Sequence, residues 1–125
     1  MRLLLAAALG MMLLTLDAEA ASPENFTVDT AEDLVALCSA DPSNPNYVAA
    51  IHFCHGFGSG GYHYYKIEAL ANPEREFVCF KEPFPTRTAV IENFVKWAKK
   101  HPQYMENEAM DVLFRYLAET YPCAK

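Results

Sequence analysis

The sequence has little positive charge and, after its first 16 residues, no long hydrophobic run. Lys and Arg total 10 against 16 Asp and Glu, which gives a formal net charge of −6. Nucleic-acid-binding domains usually carry the opposite balance, so a DNA or RNA partner is disfavoured. A bilayer span needs about 20 apolar residues, so no membrane span is expected in the mature chain. At 125 residues, the chain is also too short for a cofactor domain beside a substrate domain.

The N-terminal segment has the pattern of a cleaved secretory signal peptide. An arginine at position 2 precedes an uncharged, mostly apolar run of 14 residues from Leu3 to Leu16. Ala18-Glu19-Ala20 then places small residues at the two positions that a signal peptidase recognises. The product is therefore expected to be periplasmic or secreted. The predicted segments are a signal peptide (1–20), a loose N-terminal lead-in (21–29) and a helical domain (30–125).

Cysteines are few, but their number is even. In an oxidising compartment, four cysteines predict two disulfides, each contributing about 2–4 kcal/mol. Four cysteines allow three pairings. We favour Cys38–Cys54, which would join the first two helices, and Cys79–Cys123, which would fasten a long proline-containing loop to the C-terminus.

Apolar residues recur at helical spacing in four stretches, which predicts a compact, all-α, four-helix domain. Asp29 or Thr30 would cap the first helix, since each has an acid three residues later. The second helix would begin near Asn46, the third would span about 88–100, and Asn107 would cap the last.

Four of the five glycines lie between residues 56 and 61, inside the second helical pattern. Their letters fit G-x-G-x-x-G, but that fingerprint binds a nucleotide only after a strand and at the start of a helix. Each glycine in a helix interior costs about 1 kcal/mol relative to alanine. We therefore expect a kink or break here, or close approach of a neighbouring helix or ring as compensation.

The candidate catalytic and metal-binding groups do not combine into a site. His52 and His55 could share an ion, but His63 lies about 16 Å further along the helix axis and no third ligand is suitably spaced. Cys54 adjoins His55, yet successive helical side chains point about 100° apart, which prevents a nucleophile–base hydrogen bond. The sequence thus predicts no enzyme activity, no metal site and no cofactor.

A series of short motifs follows in order from Thr30 onward. The series is Leu37-Cys38, Tyr47, Cys54-x-Gly56, Phe77-Val78-Cys79, Pro83 with Pro85, Val95-x-x-Ala98, His101-Pro102 and Tyr121-Pro122-Cys123. Together these motifs resemble the Rap/Tai family of small exported immunity proteins, and they cover nearly the whole mature chain.

The resemblance implies an all-helical periplasmic protein that binds and occludes a peptidoglycan amidase effector of type VI secretion. It also implies that the immunity protein performs no catalysis, and some members act as homodimers. If so, we expect the partner to contact the loop from Pro73 to Phe84. The candidate residues there are Glu74, Arg75, Glu82 and Phe84, which combine charge with an aromatic anchor; an ordinary solvated loop is the alternative for them.

Two other functions stay open on the sequence. One is an acid-stress chaperone of the HdeA-like kind, because strong acid would leave the mature chain highly positive and open it by self-repulsion. The other is a stand-alone envelope protein of the same domain family with no effector. Binding to one partner at neutral pH would separate immunity from chaperone activity.

Overall fold

The structure, a computed structural model, describes residues 21–124, so the predicted signal peptide lies outside the described residues. Within this range the chain is all-α, and the four-helix prediction is confirmed. None of these helices is long and apolar enough to cross a bilayer. The helices are α1 (Ala31–Cys38), α2 (Tyr47–Ala71), α3 (Arg87–Lys99) and α4 (Ala109–Thr120), with 3-10 turns at Pro23–Thr27, Pro73–Arg75 and Pro102–Tyr104.

The start of α1 is fixed by a reciprocal pair of hydrogen bonds. The Thr30 hydroxyl accepts from the backbone N–H of Asp33 over 3.3 Å, and the Asp33 carboxylate accepts from the backbone N–H of Thr30 over 3.1 Å. This capping box satisfies two N–H groups that the helix itself leaves free. Thr30 is thus the cap, rather than Asp29.

The start of α4 differs from the sequence prediction. Glu108, not Asn107, is the N-cap, and its carboxylate accepts a hydrogen bond from the backbone N–H of Asp111 over 2.7 Å. The carbonyl oxygen of Asn107 instead accepts from the N–H of Ala31 over 2.8 Å. The prediction failed because this tertiary contact joins the beginnings of α1 and α4 and moves the cap by one residue.

The core lies where α1, α3 and α4 meet the inner face of α2. Leu34 and Leu37 of α1, Phe94 of α3, and Val112 and Tyr116 of α4 are all at most 1% exposed. No charged side chain is buried among residues 21–124. The helices therefore associate mainly through apolar burial.

Helix α2 continues without a break through all four of its glycines, over 25 residues or about 37 Å. The predicted break is therefore absent. Packing of the inner face, together with the Cys38–Cys54 disulfide, holds this helix against the low intrinsic propensity of glycine.

Two disulfides join distant parts of the chain, in the pairing that the sequence favoured. Cys38–Cys54 links the end of α1 to α2, and Cys79–Cys123 links the α2–α3 connection to the C-terminus. The second link is extended by a hydrogen bond of 2.8 Å from the N–H of Cys79 to the carbonyl oxygen of Tyr121.

Residues 21–29 differ from the expected loose lead-in. Ala21 and Val28 are only 4% and 6% exposed, and the Asn25 side chain donates a hydrogen bond to the Asp33 carboxylate over 3.0 Å. Val28 has a φ of 52°, which is costly for a β-branched residue. Burial of two apolar side chains and the bond to α1 therefore order a segment that looks polar in sequence.

Candidate functional site

The four predicted partner-binding residues are all exposed. Glu74 and Arg75 lie in the 3-10 turn that follows α2. Glu82 precedes a cis bond to Pro83, and the Phe84 side chain is 65% exposed. A large aromatic ring left in solvent is available for contact with another molecule.

These residues form two separate pairs. Arg75 and Glu82 are seven residues apart, so at most about 24 Å of extended chain separates them. No hydrogen bond or ion pair of the described chain joins Glu74 or Arg75 to Glu82 or Phe84. The structure therefore exposes both pairs, and among residues 21–124 no hydrogen bond or ion pair links one pair to the other.

The segment between the pairs is held in place. Glu76 forms an ion pair with Lys66 of α2, and the Tyr65 hydroxyl accepts from the N–H groups of Phe77 and Val78. The Cys79 disulfide follows directly. The sequence predicted from Cys79 that this connection would be held in place. The two exposed pairs therefore flank a fixed segment.

Sequence reasoning missed an apolar surface on the second half of α2. Tyr64, Ile67 and Leu70 are 67%, 64% and 79% exposed. Their spacing of three places them along one side of α2, with Ile67 opposite the buried positions Cys54 and Ala69. That spacing could have revealed the surface, because residues three apart on a helix lie on the same side.

A second missed feature is a cleft between α2, α3 and residues 80–85, hereafter the α2–α3 cleft, with a cavity volume of about 340 Å³. Its floor is apolar and is formed by Ile91, Leu113 and Leu117. Ser59, His63 and Arg87 supply polar groups to its lining. No single motif predicts this cleft, since its walls come from four parts of the chain.

The glycines of α2 have different surroundings. A Cβ atom on Gly61 would lie 2.5 Å from the Met110 thioether, so close packing explains this glycine. A Cβ on Gly58 would be in ordinary contact with the cleft floor, while Gly56 and Gly60 face open space. The predicted close approach therefore holds at Gly61 and not at Gly56 or Gly60.

Among residues 21–124, the side chains that line the cleft include hydrogen-bond donors and no carboxylate. The hydroxyl of Tyr62, a lining residue, is a neutral donor at pH 7, and burial raises its pKa above the ordinary value of 10.0. Arg87 forms no ion pair within residues 21–124. The cleft lining therefore carries a positive charge and no negative one, whereas the chain as a whole has a net charge of −6.

The predicted histidine pair remains without a third ligand in the described chain. One group of three potential metal ligands exists there, namely Glu76, Cys79 and Cys123. Its two sulfur atoms are bonded to each other, so the group is not a coordination set. Cys54 is likewise in a disulfide and cannot act as a nucleophile with His55.

The fold and these surfaces define a class: a small, disulfide-linked, all-α domain that offers a cleft and exposed aromatic side chains for binding. A family model described as Rap1a immunity proteins matches residues 30–123. The chain belongs to this family, which confirms the resemblance seen in the sequence. Membership indicates an immunity protein whose partner is an effector protein. Comparisons with curated proteins and with solved structures yield no match.

Proposed function

We propose that this chain is an exported, periplasmic immunity protein that binds and occludes a peptidoglycan amidase effector of type VI secretion. The family match over residues 30–123 is the observation that carries the proposal, because it supplies an effector protein as the partner. Two disulfides suit the oxidising envelope compartment in which such an effector would act. The protein acts by binding and not by catalysis.

Phe84 is the principal contact in this proposal. Its ring is 65% exposed, and prolines at 83 and 85 restrict the backbone on both sides. The chain just before it is fixed by the Cys79–Cys123 disulfide. A pre-ordered aromatic ring loses little conformational entropy on binding and is a typical hot spot of an interface.

The polar partner residues would add to this contact. Glu82 is two residues from Phe84, and Glu74 with Arg75 forms the second exposed pair. The net charge of −6 favours a basic effector surface. Charge complementarity of this kind acts mainly on the association rate, which we expect to fall as salt is added.

The resemblance also implied a homodimer, for which the apolar side of α2 is the available surface. Tyr64, Ile67 and Leu70 lie in solvent on consecutive turns. A dimer that buries them would be weakened by Ile67→Glu, and sedimentation velocity of the oxidised protein would detect the change. A monomeric wild-type protein at micromolar concentration would rule out this part of the proposal.

The test uses the oxidised, exported protein and a peptidoglycan amidase effector of type VI secretion, to be sought among the genes beside its own. At pH 7 we expect stoichiometric binding by calorimetry and loss of peptidoglycan cleavage. Phe84→Ala should weaken binding at least tenfold, as hot-spot truncations do. Val48→Ala is the matched control: Val48 is 66% exposed at the far end of α2, and its truncation should leave affinity unchanged.

Other outcomes would contradict the proposal. An amidase that retains full activity at saturating immunity protein would exclude occlusion. Capture of many unrelated proteins from an envelope extract at pH 3, with none at pH 7, would instead support the HdeA-like chaperone alternative.

A further inference from the structure

We propose that the α2–α3 cleft binds a medium-length aliphatic carboxylate, with the acyl chain on the apolar floor and the carboxylate beside Arg87 and His63. The argument for this ligand site does not rest on the proposed effector binding. It rests on the size of the cavity, the chemistry of its lining and the unpaired charge at its edge.

The size of the cleft suits a small ligand. Its volume of about 340 Å³ lies at the lower end of the range of about 300–1,000 Å³ for ligand sites. Leu113 and Leu117 of α4 and Ile91 of α3 make up the floor. An acyl chain placed there would leave water for an apolar surface, and each added methylene would improve affinity about fourfold until the cleft is filled.

The charge of the lining selects an anion. Arg87 and His63 both line the cleft, and no acidic residue does so among residues 21–124. Arg87 has no carboxylate partner in the described chain, so its guanidinium is free to form a bidentate bond to a ligand carboxylate. The hydroxyl groups of Ser59 and Tyr62 add neutral donors.

The net negative charge of the whole chain restricts where an anion can bind. A net charge of −6 repels anions at long range, so a carboxylate would be held only where cations lie within contact distance. Arg87 is also the first residue of α3, so the positive end of that helix lies at the same edge.

Gly58 keeps the cleft open. A Cβ atom at this position would lie 3.5 Å from Ile91 Cδ1 and 3.7 Å from Leu113 Cδ2, which is ordinary contact. Alanine therefore fits, but a longer side chain would have to occupy the space above the floor. Gly60, two residues further on, faces open space and offers the matched control position.

The test measures binding of sodium decanoate to the oxidised, exported protein by calorimetry and by amide shifts in ¹⁵N spectra. We expect saturable binding, with the largest shifts at Gly58, Ser59 and Arg87, and an affinity about 15-fold higher for decanoate than for octanoate. Decanol and decyltrimethylammonium have an alkyl chain one carbon longer than that of decanoate and no carboxylate, so they should bind at least tenfold more weakly if the carboxylate is recognised.

Three variants locate the site. Gly58→Leu should abolish decanoate binding, whereas Gly60→Leu should retain it. Arg87→Gln should weaken decanoate at least tenfold and leave decanol unchanged. Should Gly58→Leu fail to fold, Val90→Trp fills the same cleft from α3, since Val90 also lines it.

The proposal is overturned if a folded cleft-filling variant binds decanoate as the wild type does. It is also overturned if the two control ligands bind as tightly as decanoate. Shifts confined to Tyr64, Ile67 and Leu70 would show adsorption to the exposed side of α2 instead. None of these outcomes depends on an effector, so this inference and the proposed function succeed or fail separately.

Discussion

The hydroxyl oxygen of Tyr65 accepts a hydrogen bond from the backbone N–H of Val78 over 2.9 Å. The same oxygen accepts from the N–H of Phe77 over 2.7 Å. Val78 is fully buried, at 0% exposure, so water cannot replace the tyrosine as acceptor. One side chain of α2 thus fixes the connection that carries the exposed partner residues towards α3.

Replacement of Tyr65 by phenylalanine is expected to destabilise the protein by about 1–3 kcal/mol, because it leaves the buried N–H of Val78 without a partner. Urea denaturation measures the change, and faster hydrogen exchange at the Val78 amide would assign it. Tyr64→Phe is the matched control, since Tyr64 is 67% exposed. Equal losses in both variants would show that the Tyr65 hydrogen bonds are not the cause.

The glycines of α2 should respond differently to alanine. Gly56→Ala and Gly60→Ala are each expected to stabilise the protein by about 0.5–1 kcal/mol, because both positions face open space in a helix. Gly61→Ala should gain less, since Met110 would have to move. Thermal and urea denaturation test this order. A loss of stability in Gly60→Ala would indicate that a second chain covers this side of α2.

The two disulfides should differ in their access to reductant. Cys54 is 0% exposed and Cys38 9%, whereas Cys79 and Cys123 are half-buried. Limiting phosphine under native conditions should therefore expose Cys79 and Cys123 to alkylation first, as read by mass spectrometry. Simultaneous labelling of all four would contradict the difference in burial.

Loss of that more accessible disulfide should also lower stability. Cys79–Cys123 closes a separation of 44 residues, for which the chain-entropy model gives about 4 kcal/mol. A Cys79→Ala/Cys123→Ala double variant measured in urea would test this value. The variant retains Cys38–Cys54, so a fully unfolded product would show that the C-terminal link is required for folding.

Asp33 should make stability depend on acid pH. Burial tends to raise the pKa of Asp33, but hydrogen bonds from Asn25 and Thr30 outweigh it and hold the pKa below its ordinary value of 3.8. Because the folded-state pKa is the lower one, this stabilisation is present above about pH 4 and is lost as pH falls through the folded-state pKa. The carboxylate is thus stabilising at neutral pH.

Asp33→Asn is the variant that tests this pH dependence. An amide can accept at only one of the two oxygen positions, so we expect a loss of about 1–2 kcal/mol at pH 7. The difference from wild type should shrink at pH 3, which lies below the ordinary carboxyl pKa of 3.8, because unfolding of the wild type is then favoured by proton uptake at Asp33. Urea denaturation at both pH values measures it. A difference that is the same at pH 3 would mean that ionisation of Asp33 plays no part.

Much of the fold could be predicted because its signals are local. Thr30 and Asp33 are three residues apart, so the α1 cap is visible in the sequence. The apolar spacing of α4 likewise predicts a helix with one buried side. Asn107 shows where local patterns fail. Its carbonyl oxygen accepts a hydrogen bond from Ala31, a tertiary contact that no local pattern predicts.

The candidate binding surfaces were predictable only in part. Phe84, between two prolines, was expected to lie in solvent, and it does. The α2–α3 cleft was not predicted, because Gly58, Arg87 and Leu117 meet there only after three helices have packed. A sequence pattern reports which side of one helix is apolar, and it does not report the space left between several helices.

By itself, the sequence determined the helical class, the family and the starts of α1 and α2, because these depend on spacing within a few turns. Tertiary structure decided that α2 runs unbroken through its glycines, that residues 21–29 are packed, and that an apolar cleft with a cationic edge lies beside α3. The reason is that burial and cavity shape are properties of pairs and groups of elements. Their free energies outweigh local propensities of about 1 kcal/mol per residue.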